Sequence, residues 1–383
     1  MISVIVFIHE FGHYWVAKKC GVGIEAFSIG FGKEIYGWDD KYGTRWKISL
    51  FPLGGYVQMY GDSSEASTPD NDAMQKMTED EKQKAFHFKP LWQKALVVLA
   101  GPMANFILSI VLFFAIFYSV GKSNNVIPPI VGEVMEGGAA FELGLQKGDK
   151  IVTLGDSQVE SFNDIVRIIS INPNEDLAIT YERQGELLSG NIKPKYEKTL
   201  DGLGNKIRAG RIGIKSANID SNNIKRARPT GFLESFGLAV SETYKTCTRT
   251  LLAIKQIFQG KRSAEDLGGA PRIGKYVGQA SEAFIISLKC KIIGGDICQK
   301  EDKNGFILIL SLIALISANL GLVNLLPIPM LDGGHLAFYA IEAIKGGPIN
   351  AKFQEYAFRL GFFILMCLMA FALFNDAKFF GLY

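Results

Sequence analysis

MISVIVFIHEFGHYWVAKK (residues 1–19) is an apolar run interrupted near its middle by two imidazoles and a carboxylate. On a helix, His9 and His13 differ by only about 40° around the axis, so both can address one metal ion from successive turns. Glu10 is offset by about 100°, near enough to meet a water on that ion without entering its coordination sphere. Each ionisable group in a membrane-spanning helix costs on the order of a few kcal/mol, so three together without a shared task would strongly disfavour insertion. A bound metal accounts for all three. H-E-x-x-H on a helix is the zinc-hydrolase pattern, in which the histidines are ligands and the glutamate moves the proton of the attacking water to the leaving amine.

The run is not a signal peptide, because it lacks a basic n-region and a small-residue cleavage site, and Lys18 and Lys19 follow it. From Ile2 to Ala17 it is shorter than the ~20 residues of a usual span, so the expectation is a tilted, shallow helix or a true start upstream. Three other segments are long and apolar enough to cross a bilayer: Ala95 to Val120, Phe306 to Leu326 and Ala357 to Phe374. The fold class expected is therefore a multi-pass α-helical membrane protein with about four transmembrane helices. Lys18, Lys19, Lys82, Lys84, Lys89 and Lys94 lie between the first two spans, and Lys345, Lys352 and Arg359 between the last two. These regions are expected in the cytoplasm, with 121–305 and both chain ends on the other side.

Composition agrees with a chain that is partly embedded and partly in water. The hydrophobic set makes up 48% of 383 residues, charged residues 21%, and the formal net charge is +3, which does not suggest nucleic acid as a partner. Five scattered cysteines form no C-x-x-C pair; Cys290 and Cys298 are either two free thiols or a disulfide facing an oxidising compartment.

Between the first two spans, SIGFGKEIYGWDDKYGTRWKISLFPLGGYVQMYGD reads as short strands and tight turns, followed by an acidic exposed stretch (65–84) with one helical turn. Residues 126–195 alternate strand-like and helix-like segments and form a compact, mainly β module. Residues 231–260 have a helical apolar period that suits either the outer membrane surface or packing on the module. The resulting division is 1–19 first span, 20–93 β-loop region, 94–120 second span, 121–200 module, 201–305 linker and amphipathic helices, 306–327 third span, 328–356 loop, and 357–375 fourth span.

A catalytic zinc takes three protein ligands and keeps one position for water. Beyond His9 and His13, the residues in PIPMLDGGH after the third span offer Asp332 or His335, and Asp332 could alternatively be a helix N-cap.

HEFGH (9–13), together with NLLPIPMLDGGH (324–335), resembles the site-2 protease family of intramembrane zinc metalloproteases, peptidase family M50, particularly its bacterial RseP type. The similarity covers nearly the whole chain: PLGGYVQMYGD (52–62) looks like the family's membrane-associated β-loop, and FKPLWQKALVVLAGPMANFILSI (88–110) like its second span segment. The resemblance implies that His9, His13 and Asp332 bind zinc (Zn²⁺), that Glu10 is the catalytic acid/base, and that Asn324 helps hold the substrate backbone. Gly54 and Gly55 are expected to offer a strand edge to an unwound substrate. Residues 126–195 resemble a single PDZ domain, implying capture of a peptide C-terminus on the extracytoplasmic side; a second one does not fit between 196 and 230. The implied activity is hydrolysis of transmembrane segments of single-span proteins, an anti-sigma factor or remnant signal peptides, within the lipid bilayer of the inner membrane. A non-catalytic PDZ scaffold with a structural metal and a metal-ion carrier are the competing readings.

Overall fold

Helix α1 (Ile2–Lys19) ends where Gly21, at φ +67°, turns the chain into a strand, a conformation that favours glycine. The following strands β1 (Ile24–Asp39) and β2 (Arg45–Met59) are long and folded upon themselves. Residues 26–29 of β1 lie between 45–48 and 55–58 of β2, and 45–48 pair again with 36–39, so two strands build a four-segment antiparallel sheet. The short α2 (Glu79–Lys84) opens with a Thr78–Glu81 capping box and leads into α3 (Leu91–Val120), which carries Pro102 in its interior. Next come β3 (Val131–Val134), α4 (Ala139–Glu142), β4 (Lys150–Leu154), β5 (Ser157–Gln158), α5 (Phe162–Ile171), β6 (Leu177–Arg183) and β7 (Glu186–Ile192). They are followed by β8 (Lys195–Leu200), β9 (Lys206–Arg211) and β10 (Ile214–Ser216). Five helices complete the chain: α6 (Phe232–Phe258), α7 (Ala270–Ile293), α8 (Gly305–Asn324), α9 (Asp332–Lys345) and α10 (Ala351–Phe379). This computed structural model describes residues 1–62, 76–121, 127–200, 204–217, 229–293 and 305–382.

By length and composition, three described helices can cross a membrane: Leu91–Val120, Gly305–Asn324 and Lys352–Phe379. Helix α1, expected as a further span, is not among them; its 18 residues include His9, Glu10, His13, Lys18 and Lys19, which lower its apolarity.

The chain forms two units. The first comprises 1–114, 238–247 and 274–374. Its core joins α1 to the sheet: Phe27 stacks on Trp46 with ring centroids 4.4 Å apart, and Tyr14 packs edge-on against Phe27 at 5.7 Å. Buried Val22, Ile24, Val57, Met59, Phe86 and Val97 extend this cluster. Small residues bring the helices close. A Cβ at Gly12 would come within 2.8 Å of Ala104 Cβ and nearer still to Ala100 O, so α1 and α3 cross backbone against backbone. Helix α8 closes on α3 through Gly321, beside Pro102 O, and through Ser317, whose Oγ donates to Asn105 O at 2.9 Å.

The second unit comprises 115–237, 248–273 and 375–383. Its four-stranded antiparallel sheet runs β5-β4-β6-β7, and Ile151, Leu154, Ile165, Ile169, Ile179 and Ile192 form the buried core beneath α5. Helix α5 opens with a Ser161–Asp164 capping box and buries Phe162, Ile165, Ile168 and Ile169 on one face. Burial alone raises the Asp149 carboxyl, but the Arg183 guanidinium, bonded to both its oxygens at 2.8 and 2.7 Å, and the Gln146 N–H hold it below the ordinary carboxylate range. Buried Asp376 accepts from the backbone N–H groups of Gly269 and Arg272 at 3.0 and 2.8 Å, which ties the end of α10 to the first turn of α7.

Two stretches differ from their expected form. Residues 206–216 fall in the expected linker, yet β9 pairs with β8, and β10 pairs with β3 about eighty residues upstream, a non-local pairing without a local signature. The expected loop 328–356 contains helix α9, which begins at Asp332 despite Gly333 and Gly334 and ends at Gly346, where φ +74° turns the chain left-handed. The helical turn expected in 65–84 is α2, while residues 63–75 lie outside the described ones. Cys298 also lies outside them, as does any pairing with Cys290; Cys20, Cys247 and Cys367 are free thiols.

Candidate active site

On α1, His9 and His13 point to one side and are both buried, with Nε2 atoms 3.3 Å apart. Asp332, the first residue of α9, brings its Oδ2 to 3.2 Å from His9 Nε2 and 3.5 Å from His13 Nε2. This delivery depends on the glycines after it. A Cβ at Gly333 would collide with the carbonyls of Leu325 and Leu326, and one at Gly334 would lie 2.8 Å from Ile328 C. Met330, at φ +84°, takes the left-handed conformation that a non-glycine residue adopts only under constraint. Pro329 is in turn pressed by α10, where a Cβ at Gly361 would come within 2.8 Å of Pro329 Cβ.

The three atoms form a triangle with edges of 3.2, 3.3 and 3.5 Å. A tetrahedral zinc with ligand bonds of about 2.0–2.2 Å requires edges of about 3.3–3.6 Å. Buried Asp332 Oδ2 accepts no hydrogen bond in the structure, so a carboxylate oxygen with an unused lone pair faces two imidazole nitrogens. The donor set therefore fits a divalent zinc. It is the one group of His, Cys, Asp and Glu side chains among the described residues that could hold a metal.

Neighbours fix the His13 ring. Its Nδ1 donates to Val97 O at 2.8 Å, which leaves the Nε2 lone pair available to a metal ion. Gly101 makes room for the ring: a Cβ there would lie 2.5 Å from Cε1, 2.9 Å from Cδ2 and nearer still to Nε2. Asn105, fully buried on α3, reaches His9 Nδ1 at 3.1 Å. Sequence reasoning singled out neither Gly101 nor Asn105. The available signal was an amide inside an otherwise apolar span, where polar side chains are expensive.

Around this triangle is a cavity of about 200 Å³ lined also by Glu10, Gly55, Asn324, Met330 and His335. Asn324 Nδ2 lies 3.1 Å from His9 Nε2, at the mouth of the triangle. His335 lines the cavity and packs against the Phe358 ring at 5.3 Å, but does not join the metal-binding triangle. Strand β2 comes against Glu10 because of its glycines. A Cβ at Gly55 would sit 2.7 Å from Ser28 O and 3.2 Å from Glu10 Cγ, and Gly54, at φ +120°, lies under the Phe31 ring. Residues 55–58 pair with β1 along one edge; among the described residues no strand pairs with the other, and Gly55, Tyr56, Val57 and Met59 line the cavity.

The arrangement of two helix-borne imidazoles, a carboxylate and an adjacent glutamate coincides with a family match over nearly the entire chain. The model of peptidase family M50 matches residues 1–368. The chain belongs to this family. A Brucella suis protein named as a zinc metalloprotease is 39% identical over 376 residues, which cover 98% of this chain and 93% of the relative. Metalloprotease MmpA of Caulobacter vibrioides is 34% identical, with 98% and 93% covered. A zinc-metalloprotease-named protein of Rickettsia conorii is 39% identical, with 98% and 96% covered. The solved PDZ domain of an SdrC-like protein from Listeria monocytogenes aligns with 24% of this chain and 87% of its own, at 20% identity and a TM-score of 0.19. This M50 peptidase is a metalloendopeptidase with helices able to cross a membrane.

Proposed function

We propose that this protein hydrolyses peptide bonds within transmembrane segments of single-span membrane proteins, with zinc held by His9, His13 and Asp332. The observation that carries this reading is the triangle of three buried donor atoms, whose edges suit a tetrahedral zinc, with Glu10 in the same cavity. Bound there, zinc would act as the Lewis acid that acidifies water and polarises the scissile carbonyl. Glu10 accepts the proton of the attacking water and passes it to the leaving amine. Asn324 holds the substrate backbone beside the triangle through its amide. A helical substrate hides its amides, so it must unwind before cleavage; the unpaired edge of residues 55–58 offers backbone partners to the extended form.

The reading includes four spans, with α1 as a shallow fourth whose apolarity is lowered by the ligands it carries. It places the β1–β2 sheet at the membrane surface, where exposed Tyr36, Trp38, Tyr42, Leu50 and Phe51 suit the aromatic interfacial belt. Residues 127–217 serve as a PDZ domain that receives a peptide C-terminus on the extracytoplasmic face of the inner membrane. The substrate class is an anti-sigma-factor-like protein or a remnant signal peptide. A scaffold with a purely structural metal accounts less well for the site, because structural zinc is closed by four ligands and this triangle has three beside a glutamate.

Comparing membrane protein fragments from cells carrying wild-type protein or Glu10→Gln tests the proposal. Shortened single-span proteins should appear only with wild type, and identical fragment patterns would overturn it.

A further inference from the structure

Asn105 has a side-chain arrangement that a zinc-bound His9 does not permit. Its Nδ2 faces His9 Nδ1 at 3.1 Å, while its Oδ1, wholly buried, has no hydrogen-bond donor. On the other side of the ring, Asn324 Nδ2 lies 3.1 Å from Nε2. A neutral imidazole has one N–H and one lone pair, so two amide donors cannot both be served. If Nε2 gives its lone pair to zinc, Nδ1 must carry the proton and needs an acceptor. The oxygen and nitrogen of a carboxamide are nearly the same size, and a half-turn about the Cβ–Cγ bond exchanges them without moving the backbone. That turn replaces the donor–donor encounter with Nδ1–H···Oδ1 and gives the orphaned oxygen its partner.

We infer that Asn105 is the positioning residue for His9: its Oδ1 accepts the Nδ1 proton, selecting the tautomer that presents Nε2 to zinc. Val97 O performs the same task for His13, so both ligands of α1 are held from α3. The position of Asn105 is over-determined. Its backbone oxygen accepts from Ser317 Oγ at 2.9 Å, and a Cβ at Gly321 would lie 3.3 Å from its own Cβ, so α8 locks the residue facing α1. The inference rests on the zinc assignment above.

Two measurements on the full chain in detergent test it. In zinc-loaded wild type with ¹⁵N-labelled histidine, His9 should show a metal-bound Nε2 and a protonated Nδ1, assigned by loss of its signals in His9→Ala. A His9 ring unchanged by zinc would refute the zinc assignment itself. A metal-bound Nε2 with an unprotonated Nδ1 would leave the assignment standing and overturn the role of Asn105. The second measurement is zinc retention against a graded chelator for Asn105→Leu and Asn105→Asp, two replacements of similar volume. Asn105→Leu, which has no acceptor, should bind zinc about 10–100-fold more weakly, and Asn105→Asp, which keeps one, should stay near wild type. Equal retention in all three, or equal loss in both variants, would overturn the inference. Should Asn105→Leu fail to fold, the wild-type spectrum still decides.

Discussion

Replacing Gly101 with alanine places one methyl group against the ring of His13, a proposed zinc ligand. The added carbon would lie 2.5 Å from His13 Cε1 and 2.9 Å from Cδ2, whereas ordinary contacts begin at 3.4 Å, so the ring must retreat by roughly an ångström. It cannot do so freely, because Nδ1 is bonded to Val97 O at 2.8 Å on the same helix as residue 101. Zinc sites tolerate about 0.2 Å of error in ligand distance, so His13 loses either its metal contact or its anchoring bond. Loss of the anchor alone corresponds to about 10–100-fold in affinity, and added displacement of the ligand puts the expected loss at the upper end, about 2.7 kcal/mol. The assay is zinc retention by the purified full-length protein against a chelator series, with cleavage of a labelled membrane peptide alongside. Gly237→Ala is the control: nothing lies within 4 Å of the added carbon on α6, and it should leave zinc unchanged while stabilising the helix by about 0.5–1 kcal/mol. Wild-type zinc affinity in Gly101→Ala would refute the account of how the ring is held.

Other outcomes follow from the same geometry. Glu10→Gln should retain zinc and lose about 10²–10⁴-fold in cleavage rate, read by zinc analysis and peptide turnover; wild-type turnover would sink the proton-transfer role. Asp332→Asn should lower zinc occupancy much more than His335→Ala, and the reverse ranking would move the third ligand to His335. Gly55→Val would meet Ser28 O and push β2 from Glu10, so cleavage should fall by up to about 100-fold with zinc content intact. The depressed Asp149 carboxyl stabilises the second unit above the ordinary carboxylate pKa of about 3.9, and that contribution disappears as pH falls through its lower folded value. Asp149→Asn should therefore melt earlier than wild type at pH 7, and the gap should narrow progressively as pH falls below the ordinary carboxylate range; a constant gap would exclude the pair as its source.

The sequence exposed the parts of the site that are chemically conspicuous. Three ionisable groups in an apolar run and an Asp-Gly-Gly after a proline-broken span stand out because each is costly or unusual where it lies. The structure brings His9, His13 and Asp332 together, with Glu10 and Asn324 beside them. Gly101 and Asn105 were hidden, because small residues and a single amide in a span have many uses and their role lies in a contact across helices. The strand boundaries within 24–59 were similarly illegible: β1 pairs with two separate parts of β2, and periodicity in one strand does not reveal two partners. Helix α9 escaped because Gly333 and Gly334 look like loop residues, although here they permit backbone contacts that seat Asp332. The pairing of β10 with β3 also depends on a distant partner rather than local preference.

The triangle draws its donor atoms from residues far apart in sequence, His9 and His13 in α1 and Asp332 more than three hundred residues later. During synthesis at about 5–20 residues per second, the amino-terminal pair waits roughly 15–60 s for its third partner. Throughout that interval the growing polypeptide lacks the Asp332 corner of the triangle. Separation in sequence thus ties completion of the triangle to the synthesis of Asp332, however early the two histidines are in place.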